Sequence, residues 1–185
     1  MKRGWFRRNI WGLVLVGPLA AGLFATNVST AYQRNYSGQA KEPVPVDGTG
    51  LAVLDDYRVR VMEFAPVDNE LEIDKLVGFG QDAPPGNVRI WRAMVSIDAP
   101  RDDNSTINLC DSWLEDEAGR RYAKNPSELR GVPHVFGACS PDIEDQPSPY
   151  TTTLIYLLPA EARPASVVLT WVDRLPRYIR LPVVP

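Results

Sequence analysis

Histidine and cysteine are nearly missing from this chain: its 185 residues hold one histidine, His134, and two cysteines, Cys110 and Cys139. That scarcity excludes a zinc finger, a His-rich metal centre and a two-histidine metalloprotease helix. It also excludes a disulfide-dense mini-scaffold. Compositional bias is absent too, since 44% hydrophobic and 23% charged residues are ordinary for a globular protein and leave no room for wholesale disorder or a collagen-like repeat. No Gly-x-Ser-x-Gly elbow occurs, and Ser37, Ser105, Ser140 and Ser148 stand in polar stretches without flanking glycines, so nothing marks a hydrolase around His134. Gly78-Phe79-Gly80 has no Lys-Ser/Thr after it and no following helix, which excludes a phosphate-binding loop. With no catalytic constellation in sight, the expectation is a non-enzymatic protein without metal or cofactor.

Charge is missing from one stretch near the amino terminus. Lys2, Arg3, Arg7 and Arg8 precede Asn9, and from there to Gln33 no charged residue appears. About 25 helical residues rise about 37 Å, enough to cross a bilayer. Ile10 to Ala25 is apolar throughout and has no polar face at helical spacing, which argues against a buried core helix. Arg7, Arg8 and Trp11 stand at one end of the span and Tyr32 and Tyr36 at the other, the basic and aromatic flanks of two membrane interfaces. The expectation is a cytoplasmic basic tail over residues 1–9 and a transmembrane signal-anchor helix over 10–31, with everything beyond it outside the cytoplasmic membrane. A secretory signal cleaved near Ser29-Thr30-Ala31 fits the same basic and apolar regions and stays open.

All 23 Asp and Glu lie after this span, against 16 of the 20 Lys and Arg, so the exported part is acidic, at a net −7. Nucleic acid and anionic headgroups need clustered Lys and Arg and are excluded as partners of that part. On the oxidising side of the membrane Cys110 and Cys139 are expected to form a structural disulfide. Their spacing is nothing like a Cys-x-x-Cys redox pair.

Residues 32–50 carry Pro43, Pro45, Gly48 and Gly50 and are expected to be a linker. From residue 51 to 185 the pattern has period two, with no amphipathic helix of useful length. Strands are expected at Tyr57 to Phe64, Arg89 to Asp98, Thr106 to Glu115, Arg120 to Ala123, Thr151 to Leu158, Ser166 to Val172 and Arg177 to Val183, with a hairpin turn over Asp116 to Gly119. Arg89 to Asp98 alternates most clearly and should be central. About seven strands fit an all-β, immunoglobulin-like two-layer β-sandwich, with Trp91, Trp113 and Trp171 as its large core residues. The excursion Lys124 to Pro149 is too long for a simple connection. Asp142, Glu144 and Asp145 there, and Asp102-Asp103-Asn104 in another loop, offer oxygens to a cation but lack the Asp-x-Asp-x-Asp-Gly spacing of a calcium loop.

The basic start, the apolar span, the Pro-rich linker, the Asp116 to Tyr122 hairpin, Leu158-Pro159-Ala160 and the Pro176 to Arg180 strand together resemble actinobacterial single-pass membrane proteins. Their extracytoplasmic domains are similar to the immunoglobulin-like domains of the group called domain of unknown function 4352. The resemblance spans about Leu51 to Val183 and implies a sandwich fold, with no catalytic motif to carry over. The resulting expectation is a membrane-anchored interaction module, a non-catalytic accessory or scaffolding subunit of a membrane or cell-envelope complex. Its partners would be the bilayer, through residues 10–31, and an envelope protein. The alternative is a secreted or anchored domain that binds a small ligand or cation through loop 124–149.

Overall fold

A computed structural model of the chain describes residues 39–77, 87–99, 110–126, 128–129, 139–142 and 146–184. The expected span at 10–31, with Arg7, Arg8, Trp11, Tyr32 and Tyr36, lies outside the described residues, as does His134. Among the described residues no helix is long and apolar enough to cross a membrane.

Ala40–Pro185 forms one unit. Its strands are β1 (Glu42–Val44), β2 (Leu51–Leu54), β3 (Tyr57–Pro66), β4 (Val88–Asp98), β5 (Cys110–Asp116), β6 (Arg121–Ala123), β7 (Tyr150–Pro159), β8 (Pro164–Trp171) and β9 (Arg177–Pro182), with helix α1 (Glu70–Val77) between β3 and β4. One sheet runs β1-β9-β8-β5-β6 and the other β2-β3-β4-β7. Pairing is antiparallel except where β1 lies parallel to β9. The protein is thus an all-β sandwich of two sheets, and the seven expected strands are present as β3 to β9.

Alternation explains which faces meet. In β4 the residues Trp91, Ala93, Val95 and Ile97 are buried, and they join Leu114 of β5, Leu154 and Tyr156 of β7, Leu169 and Trp171 of β8 and Ile179 of β9 in one core. Side chains two apart on a strand share a face, so each strand contributes every second residue to this layer. β4 is central in its sheet, between β3 and β7. The β5–β6 turn falls at Asp116 to Gly119 as expected, and Gly119 takes a φ of 76° that a side chain would strain.

Three features depart from the sequence reading. The expected linker ends early, because Glu42–Val44 pairs in register with Arg177, Tyr178 and Ile179, and Val44 and Val46 pack on the core. Pro43 is tolerated there because β1 is an edge strand, where one row of backbone groups needs no partner. The second departure is α1, where Ile73, Leu76 and Val77 supply i, i+3, i+4 apolar positions over only eight residues. They cover the outer side of β4 and β7 through Ile90, Ile155 and Leu157, with Leu129 completing a second, smaller core. The third is Trp113, which belongs to neither core.

Candidate interaction surface

Cys110, Ser112 and Leu114 of β5 are buried toward the inner layer, so Asp111, Trp113 and Glu115 point the other way. Strand register then places Ala123, Trp113, Val168 and Arg180 in one row across the outer face and Arg121, Glu115, Ser166 and Pro182 in the next. Trp113 is the correction to its expected core role. It stands half-buried on the solvent side, and a readable signal was its sharing of a face with Asp111 and Glu115.

This face is built, not merely exposed. Glu115 is almost fully buried and its carboxylate is shared three ways: Arg121 Nε donates to Oε1 at 3.1 Å, Trp113 Nε1 donates to Oε1 at 3.1 Å, and Arg180 Nε lies 3.2 Å from Oε2. Arg180 Nε also donates to Ser166 Oγ at 3.0 Å. The Arg121 guanidinium sits 4.7 Å over the Trp113 ring, a cation–π contact of about 0.5–1 kcal/mol at an exposed site. Val168, between Trp113 and Arg180 in its row, is fully buried although it faces outward. One carboxylate and one indole therefore hold two guanidinium groups in fixed positions. Both arginines are about half exposed or more, at 61% and 45% of their side chains.

Next to this face the hairpin is clamped by Asp116, whose carboxylate accepts from Arg120 N (2.8 Å), Arg120 Nε (2.6 Å) and the Tyr122 hydroxyl (3.0 Å). Burial pushes its carboxyl up, but the Arg120 and Tyr122 hydrogen bonds outweigh that and hold it below the ordinary value. Inside the sandwich, burial pushes the Tyr150 hydroxyl up to about 12 and the Tyr156 hydroxyl further still. These groups are structural, since none of them reaches the outer face.

Cys110 and Cys139 form the expected disulfide, with Cα atoms 5.8 Å apart, and both are buried. The Tyr150 hydroxyl donates to Cys139 O at 2.8 Å on the same segment. In the chain-entropy account, closing a loop of this length stabilises the fold by roughly 3–4 kcal/mol. The cation reading of loop 124–149 draws nothing from Asp142, whose two oxygens accept from Thr153 N and Thr153 Oγ1, each at 2.7 Å. Glu144, Asp145, Asp102, Asp103 and Asn104 lie outside the described residues. Among the described residues no three metal-capable side chains converge.

Comparison of the chain with protein-family models, with curated proteins and with solved structures gave no match.

Proposed function

We propose that this protein is a membrane-anchored, extracytoplasmic interaction module, a non-catalytic accessory or scaffolding subunit of a membrane or envelope complex. The observation that carries the reading is the preorganised outer face of the larger sheet: Trp113, Arg121 and Arg180 locked around Glu115 on the solvent side. Tryptophan and arginine are the residue types that most often dominate binding energy at protein interfaces. Fixing them beforehand lowers the side-chain entropy lost on binding. The apolar span at residues 10–31 and its basic flank supply the anchor, and a buried disulfide suits an oxidising compartment.

The domain is of the immunoglobulin-like kind in this reading. Strands β3, β4 and β7 lie in the order A-B-E of that fold and β5, β8 and β9 in the order C-F-G, with β4 to β5 and β7 to β8 passing between the sheets. This ordering accords with the resemblance to the domain of unknown function 4352 group.

The test is gentle-detergent affinity purification of the full chain from membranes of its native host, beside Arg121→Gln/Arg180→Gln. Glutamine keeps an N–H for Glu115 and removes both charges. The expected result is an uncleaved chain with a stoichiometric membrane partner, and at least ten-fold less partner with the variant, which stays folded by circular dichroism although Glu115 loses both counter-charges and the melting temperature falls. A chain beginning near Tyr32 and recovered alone overturns the reading.

A further inference from the structure

Among the described residues β7 pairs along its length with β4 alone, and its other edge meets the end of β6 only at the single Lys124–Tyr156 bridge, so the rest of that edge should offer unpaired backbone groups. In an antiparallel pair alternate residues point their N–H and C=O away from the neighbour, and in β7 these are Thr151, Thr153, Ile155 and Leu157. Described residues of the segment between β6 and β7 meet the first three of them. Asp142 N donates to Thr151 O at 2.9 Å, and Thr153 N donates to Asp142 Oδ1 at 2.7 Å. Asn125 N donates to Ile155 O at 2.6 Å, and Ile155 N donates to Asn125 Oδ1 at 3.1 Å. Asn125 has a φ of 43°, a left-handed conformation that asparagine adopts more readily than most residues. Two residues thus imitate a neighbouring strand. The same segment is pinned by Leu129, fully buried beside Ile155, by the disulfide at Cys139, and by Ser148, whose hydroxyl donates to Asp98 and accepts from Ala99 N.

We infer that this strap guards a strand-pairing surface, and that the occupant it keeps out is β7 of a second copy of this chain. The sequence of that strand argues for a self-pair. Thr151 to Leu158 reads TTTLIYLL, eight residues without charge, proline or glycine and rich in β-formers, the composition most prone to pairing with its own kind. An antiparallel pair of identical strands is two-fold symmetric and needs no charge complementarity. Centred on Ile155, it sets Thr153 opposite Leu157 of the other copy. Asn125 and Asp142 occupy the backbone groups such a pair would use. The surface is independent of the arginine face.

The full chain in gentle detergent tests this by light scattering and hydrogen exchange, under non-reducing conditions. The expected result is that wild type keeps its mass at every concentration while Asn125→Ala/Asp142→Ala doubles it. The Thr153 and Ile155 amides of that variant should exchange at least ten-fold faster when dilute and regain protection when concentrated. Adding Thr153→Pro, which removes an outward N–H and leaves the β4 ladder intact, should restore the wild-type mass. A variant that never doubles its mass, or a doubled mass that survives Thr153→Pro, overturns the inference. If the double variant loses its fold by circular dichroism, Cys110→Ser/Cys139→Ser takes its place, and a doubled or unchanged mass then carries the same meaning. Unfolding of both also overturns the inference, because the strap would then be part of the core and not a cover.

Discussion

Asp116 shows how a single side chain decides between two opposed effects. Burial disfavours its charge, yet three hydrogen bonds from Arg120 and Tyr122 hold the carboxylate below its ordinary pKa of 3.8. As pH falls, the unfolded chain therefore takes up the proton before the native one does. The stability Asp116 contributes is present above about pH 4 and disappears as pH drops through its native value. Asp116→Asn should accordingly unfold at lower urea than wild type at pH 7, with a smaller gap at pH 3, on the way through the native titration. Urea midpoints at the two pH values check this, and a gap of constant size would mean that the carboxylate's charge contributes nothing. Trp113 makes the same point about the face: its indole is fixed by Glu115 and covered by Arg121, so it positions the guanidinium while the arginines stay exposed.

At the scale of elements, α1 depends on its first turn. Asn69 accepts from Leu71 N at 3.0 Å through Oδ1, and its carbonyl accepts from Glu72 N and Ile73 N, which makes it the N-cap. A helix of eight residues has little stability of its own and relies on this cap and on packing against Ile90 and Ile155. Asn69→Ala should cost about 1 kcal/mol. Hydrogen exchange should then show the Ile73 to Val77 amides opening about five-fold faster while β4 amides keep their rates; equal acceleration in β4 would mean that α1 and the sheet unfold as one. The strands β3 to β9 were legible because each alternates over several residues or follows a clear turn, as Trp91 to Ile97 does. Elements β1, β2 and α1 were not. Three, four and eight residues carry too little periodicity to outweigh Pro43, Gly48 and Gly50 or the flanking acidic residues, and β1 acquires its identity only from β9, 135 residues away by sequence number. The disulfide was legible from the number of cysteines and from the compartment the sequence leads one to expect. The arginine face was half legible, since alternation through Asp111, Trp113 and Glu115 gives its orientation while Arg180 reaches it only through the β8–β9 register.

Over the whole domain, both flanks where the two sheets diverge are bridged. On one side Val46 pairs with Ala52 and links the chain after β1 to β2; on the other Lys124 pairs with Tyr156 and links β6 to β7. A two-sheet protein otherwise leaves four edge strands open to solvent and to other chains. Here β1 contributes to one closure, and it stands at the very start of the folded unit. The first residues of the domain are therefore part of its stability: Lys41 N and Glu42 N donate to Pro176 O at 2.9 and 3.1 Å, and Val44 and Val46 lie against the core. A flexible linker would tolerate any sequence at these positions. Replacing Glu42-Pro43-Val44 by Gly-Ser-Gly in the full chain removes one apolar side chain from the core and adds two glycines whose freedom must be lost on folding, together about 2 kcal/mol. For a domain of this size that corresponds to a melting temperature lower by about 5 °C. An unchanged melting curve would return residues 40–46 to the linker and leave the β1–β9 pairing without energetic weight. A loss of the expected size would mean that the folded domain starts at Ala40 and that residues 40–46 belong to it and not to a linker.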